Sequence, residues 1–194
     1  MAKAHAVERY HPLLVVLHWV LAAAIIGNLA AGGLILSDMP NDHPAKPGLL
    51  RLHMATGLTI LALMLVRIVT RLVTKKPPVP HKPGPLKWLA VANHWAFYFV
   101  IFGMLATGLG MAALGNLFPL LRGANVPLPA SFEQLPPHAG HVFWSSVLIG
   151  LIGLHLAGVI YHYAVKKENL LSRMWFGPRE RAEGAGPTHA PVPQ

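Results

Sequence analysis

Apolar residues fall in four long blocks, and polar residues collect between them. The blocks cover residues 12–36, 49–73, 86–114 and 138–165. Each is longer than the run of about 18 apolar residues that marks a bilayer-crossing helix. The pattern predicts an all-α integral membrane protein, a four-helix bundle. Pro12 suits the first turn of the first span, where a missing N–H costs nothing. Ser37–Gly48 is a polar connection broken by Pro40, Pro47 and Gly48. Thr74–Pro85 is rich in lysine and proline and should run extended over the membrane surface. Gly115–Pro137 is the longest connection. Residues 1–176 read as one four-span domain, and 177–194 as a flexible tail rich in glycine and proline.

Composition agrees, with 54% hydrophobic and 12% charged residues. A formal charge of +9 would suggest nucleic acid as partner of a soluble chain. The basic residues instead cluster between apolar blocks without a nucleic-acid motif, so the partner they imply is membrane lipid and nucleic acid is not expected. Thirteen Lys and Arg lie on the N-terminal arm, in region 67–87 and from Lys166 onward, against Lys46, Arg51 and Arg122 on the other two connections. The positive-inside rule then puts both termini in the cytoplasm of a multi-pass inner-membrane protein. Met1–Val7 leads into the first span without the pattern of a cleavable signal peptide. The absence of cysteine excludes thiolate-held iron–sulfur clusters, covalently attached haem and disulfides.

The candidate chemistry lies in the histidines. The fourth span has no Asp, Glu, Lys or Arg, yet holds His138, His141, His155 and His162. A 14-residue step, the one from His141 to His155, returns to within about 40° of the same helix face after roughly 21 Å. Antiparallel threading gives an outer pair, His53 with His141, and an inner pair, His18 with His155. An imidazole in hydrocarbon is costly and usually has a partner or a task. A single such histidine is readily satisfied by a neighbouring carbonyl. Two pairs at two depths point to axial ligation of two haem irons, where filled axial positions favour electron transfer over oxygen binding. His162 competes with His155 for the inner position, and His138 with His141 for the outer one. His94 is read as lying beside a cofactor edge. Zinc or di-iron sites fit poorly, because the spans contain no Asp or Glu. Arg67 either snorkels to the interface or binds a haem propionate, for which its planar fork is suited. Trp19, Trp95, Tyr98 and Trp144 are read as packing or interfacial aromatics.

At these residues the chain resembles the bacterial cytochrome b-561 family, small four-helix di-haem membrane proteins that include superoxide:ubiquinone oxidoreductases. The resemblance covers about residues 8–176. It rests on His18-Trp19, on RLHMATGLTILALMLVRIVTRL with His53 and Arg67, and on HKPGP. His141 and His155, with HLAGVIYHYAVKKENLLSRM, complete it. It implies two b-type haems on His18, His53, His141 and His155, and a cytoplasmic ubiquinone pocket at Lys82 and His162.

The expected activity is that of an oxidoreductase. Superoxide, or another small donor, delivers electrons at the outer face, and they pass through the haems to ubiquinone. Arg51, two residues before His53, is the candidate for steering superoxide, with Lys46 and Arg122 nearby. Asp38, Asp42 and Glu133 cancel the outer charge, so steering would have to be local. The alternative is a haem-bearing membrane anchor passing electrons between quinol and a peripheral dehydrogenase or hydrogenase. A haem carrier or sensor, the third reading, requires an open iron position.

Overall fold

A computed structural model of the protein describes residues 9–75 and 85–177. Four long helices are present: α1 (Pro12–Ala31), α2 (Lys46–Val73), α3 (Pro85–Leu114) and α4 (Pro137–Ala164). The described residues contain no strand. Each helix has a proline at or beside its first position, Pro12, Pro47, Pro85 and Pro137. There the ring sets φ and the absent N–H is not needed. This explains one difference from the sequence expectation. Lys46-Pro47-Gly48, expected in the connection, forms the first turn of α2.

All four helices have the length and hydropathy of membrane spans. Large apolar side chains such as Leu65, Val69, Phe99, Ile149 and Ile160 are exposed, as lipid contact requires. The interior is a narrow seam of Leu17, Leu21, Ile60, Met64, Tyr98, Val100, Ile101 and Leu148. Packing is closest between α3 and α4 and between α1 and α2, while α2 also touches α3.

The helix ends fix two levels. Beyond Ala31 the first span widens into a π-helical turn, Gly32–Leu36, stopped where Ser37 Oγ donates to the Gly33 carbonyl at 2.8 Å. Such turns re-aim side chains and often mark functional positions. α3 ends in a Schellman-type cap. Asn116 takes φ 50°, and the amides of Asn116 and Leu117 return to the carbonyls of Ala113 and Ala112. Leu117 then packs with Ala112 and Leu120 in a second small core. Two connections close this "loop end". Asn41 Nδ2 donates to the carbonyl of Pro129 at 2.6 Å, clasping one connection to the other.

The opposite "strap end" is closed by the chain after α4. A 3-10 turn, Leu171–Met174, folds back onto the start of α1. The Tyr10 amide donates to the Arg173 carbonyl at 3.2 Å, and Arg9 donates to the carbonyls of Ser172 and Trp175. Trp19 Nε1 donates to the Met174 carbonyl at 2.8 Å, and its ring meets Trp175 edge-on at 5.6 Å between centroids.

Candidate functional site

Imidazoles from α2 and α4 face each other at the loop end. The His53 and His141 ring centroids are 6.3 Å apart, with planes inclined by 71°. His141 is oriented by α3, its Nδ1 lying 3.0 Å from the Met104 carbonyl and 3.2 Å from Thr107 Oγ1. Donation from Nδ1–H to these oxygens leaves Nε2 as a lone-pair donor, the usual way a protein prepares a metal-binding imidazole. His53 Nδ1 is buried without a hydrogen-bond partner.

The space around this pair is a cavity of about 650 Å³. Glycines form part of its wall because larger residues would invade it. A Cβ at Gly32 would come within 3.1 Å of His53 Cε1, and one at Gly108 within 3.2 Å of His141 Cε1. At Gly57 nothing lies nearer than Asn28 Nδ2 at 4.0 Å. His138, the expected competitor of His141, also lines the cavity.

At the strap end His18 of α1 faces His155 of α4, with centroids 6.2 Å apart and planes inclined by 63°. His94 of α3 also stands beside His155, with centroids 6.0 Å apart, its Nδ1 donating to the Ala90 carbonyl at 2.6 Å. Phe97 packs edge-on against His155 at 5.7 Å, and Trp19 against His18 at 5.3 Å. Two guanidinium groups stand at this end of α2. Arg67 Nη1 donates to the Leu14 carbonyl at 2.8 Å. Arg71 sits 5.9 Å above the Tyr98 ring, with a buried Nε lacking a hydrogen-bond partner. Neither arginine has a carboxylate in ion-pair range among the described residues.

These separations suit a shared iron. With metal–imidazole bonds of about 2 Å, and a ring centroid roughly 1 Å behind each nitrogen, two imidazoles on opposite sides of one iron have centroids about 6 Å apart. Among the described residues no three His, Asp or Glu converge as a bare-ion site would require. The imidazoles meet in facing pairs, with room for a flat group at the loop end, and so fit haem.

The remaining expected site residues are spread more widely. Arg51 is exposed at the loop end, its Nη1 3.4 Å from where a Cβ on Gly123 would stand. His162 turns to Glu168, with Nδ1 2.9 Å from Oε2. Lys82 lies outside the described residues. Two positions gained weight only from the fold. Lys46 is buried against the loop-end cavity, and His94 is as near to His155 as His18 is. Lys46 beside Pro47 at the head of an apolar run was the available signal for the first, and the repeated His-Trp pair (His18-Trp19 and His94-Trp95) for the second.

A membrane-length four-helix bundle that sets imidazoles face to face across its interior has the donor set of a membrane cytochrome. The match to the family described as prokaryotic cytochrome b561 spans residues 9–177, and the chain belongs to that family. Membership implies b-type haem, electron transfer and a bacterial membrane. Among curated relatives, Probable superoxide oxidase CybB of Yersinia pestis is 27% identical over 184 residues, covering 90% of this chain and 98% of that protein. Cytochrome b562 of Cereibacter sphaeroides is 28% identical over 169 residues, covering 85% and 94%. Cytochrome b561 homolog 2 of Escherichia coli K12 is 25% identical over 176 residues, covering 86% and 91%.

Proposed function

We propose that this protein is a superoxide:ubiquinone oxidoreductase that carries electrons across the inner membrane through two b-type haems. His53 and His141 hold one at the outer face, which is the loop end. His18 and His155 hold the other towards the cytoplasm, where both termini lie. Haem held by these imidazoles would supply a one-electron couple. Superoxide gives up one electron and leaves as dioxygen. Two electrons and two protons convert ubiquinone to ubiquinol, so each turnover consumes two superoxide anions.

The side chains divide the remaining work. Arg51, exposed at the loop end, attracts the anion locally. Met104 and Thr107 hold the His141 ring in register. Among the described residues Arg67 and Arg71 have no carboxylate partner, and their positive charge suits haem propionates. His162, whose Nδ1 lies beside Glu168 Oε2, and Lys82 are the quinone contacts that family resemblance implies.

The observation that carries this reading is the pair of ring separations, 6.3 and 6.2 Å, at two levels of one bundle. Purified protein should show low-spin bis-imidazole b-type spectra with two haems per chain. Pulsed superoxide should reduce them in stopped flow, more slowly in Arg51→Ala. Haems untouched by superoxide would refute the donor, and an unaltered rate in Arg51→Ala would remove that residue from the route.

Two relatives are named only as cytochromes, which favours a second reading, a membrane subunit wired to a peripheral dehydrogenase or hydrogenase. Purification with a stoichiometric soluble partner would support it.

A further inference from the structure

Lys46 is the one charged side chain in the buried class among the described residues, with 4% of its surface exposed. It donates to the Met39 carbonyl and sits 5.7 Å over the Phe132 ring. An ammonium has three N–H donors, and among the described residues the Met39 carbonyl is the one hydrogen-bond acceptor for it. No carboxylate of Asp38, Asp42 or Glu133 comes within ion-pair range of it. Leaving a buried ammonium without an anion is costly. Lys46 lines the cavity, whose wall it shares with His53, His141 and Glu133.

We propose that Lys46 binds an oxyanion inside the loop-end cavity, namely a carboxylate of the haem that His53 and His141 hold. This rests on the two-haem reading above. The other source of such an oxyanion is the free superoxide substrate. Burial decides between them. A steering cation must be felt from water, as the exposed Arg51 is, whereas Lys46 is buried against Met39 and Phe132 on the cavity wall. The loop end thus divides its cations, Arg51 outside for the substrate and Lys46 inside for the cofactor.

The test is a spectroelectrochemical titration of the full-length, haem-loaded protein and of its Lys46→Met and Lys46→Arg variants, with the two waves assigned through His155→Ala. Removing a positive charge favours the oxidised form. Lys46→Met should therefore move the loop-end wave to lower potential or lose that haem, leave the strap-end wave in place, and be rescued by Lys46→Arg. Wild-type potentials and haem content in Lys46→Met would overturn the proposal. So would an equal shift in Lys46→Arg, which would mark Lys46 as packing alone. Unmoved waves, with superoxide-driven reduction slowed more than tenfold and stripped of its salt dependence, would assign Lys46 to the free anion and overturn the carboxylate. A wild-type protein with one haem refutes the two-haem reading, and takes Lys46 with it only if that haem sits at the strap end.

Discussion

At the loop end the cavity around His53 and His141 is lined mainly by glycines and apolar side chains, with the buried Lys46 and with Glu133 also on its wall. At the strap end His18 and His155 are hemmed in by His94, Phe97 and Trp19, and two arginines stand nearby. The rings are spaced alike at both ends, so ligand spacing does not distinguish the two levels. Their surroundings do. Positive charge stabilises the reduced form of a nearby redox group. On the two-haem reading, Arg67 and Arg71 would favour the electron at the strap end, whereas Lys46, Arg51 and Arg122 at the loop end are balanced by Asp38, Asp42 and Glu133, so electrons would run from loop end to strap end. That is the direction required by a donor outside and a quinone acceptor inside.

The largest effects should come from the rings themselves. His141→Ala and His155→Ala are each expected to lose one of two haems, seen as half the pyridine haemochrome yield per chain. Because His94 is as close to His155 as His18 is, the strap end needs its own comparison. His18→Ala should lose the strap-end haem and His94→Ala should keep it. The reverse result would make His94 the ligand and His18 its neighbour, leaving the loop-end pair untouched.

Next is the glycine wall. In Gly32→Val the new Cβ would already lie 3.1 Å from His53 Cε1 before its methyls are placed. Overpacking of this kind costs about 1–3 kcal/mol, here concentrated on one ligand. Most of the loop-end haem should be lost while the strap-end spectrum persists. At Gly27 an added Cβ meets nothing within 4 Å, so Gly27→Val should retain both haems. Equal losses in the two variants would mean that helix propensity, and not the slot, sets haem content.

These residues also show how far a sequence can be read. The four spans were legible because bilayer thickness imposes a length and a composition that no neighbour has to supply. The two depths were legible because 14 residues nearly close a whole number of helical turns, so one helix announces both levels. Lys46 was not. In sequence it is a cation ahead of an apolar run, and its burial depends on the Asn41 clasp and on Phe132 arriving from a connection some ninety residues away. The π-turn at Gly32–Leu36 was hidden for a similar reason, since Gly32 has a task only once His53 stands opposite. Similarly, the spacing within α4 does not reveal that His94 and His18 reach His155 from two different helices.

Charge gives a smaller effect. At an effective dielectric of about 20, one unit charge roughly 10 Å away is worth on the order of 1–2 kcal/mol, or several tens of millivolts for one electron. Arg71→Leu should lower the strap-end potential by that amount and leave the loop end unchanged, narrowing the gap that drives electrons inward. A shift at both ends would show that the field is shared along the bundle and that the asymmetry is not electrostatic.

The smallest predicted effect concerns the strap. Trp19 lies beside His18 and also holds the C-terminal segment, through Nε1 to the Met174 carbonyl and through its edge contact with Trp175. Trp19→Phe removes the hydrogen bond and leaves an aromatic ring in place. The loss should be about 1 kcal/mol, read as roughly fivefold faster hydrogen exchange over residues 170–177 with exchange in the loop-end connections unchanged. Haem content should stay at the wild-type value, because His18 is positioned by α1 and not by the strap. If the strap-end haem is lost as well, the Trp19 bond supports the ligand directly, and the two ends differ in how their imidazoles are held as well as in what surrounds them.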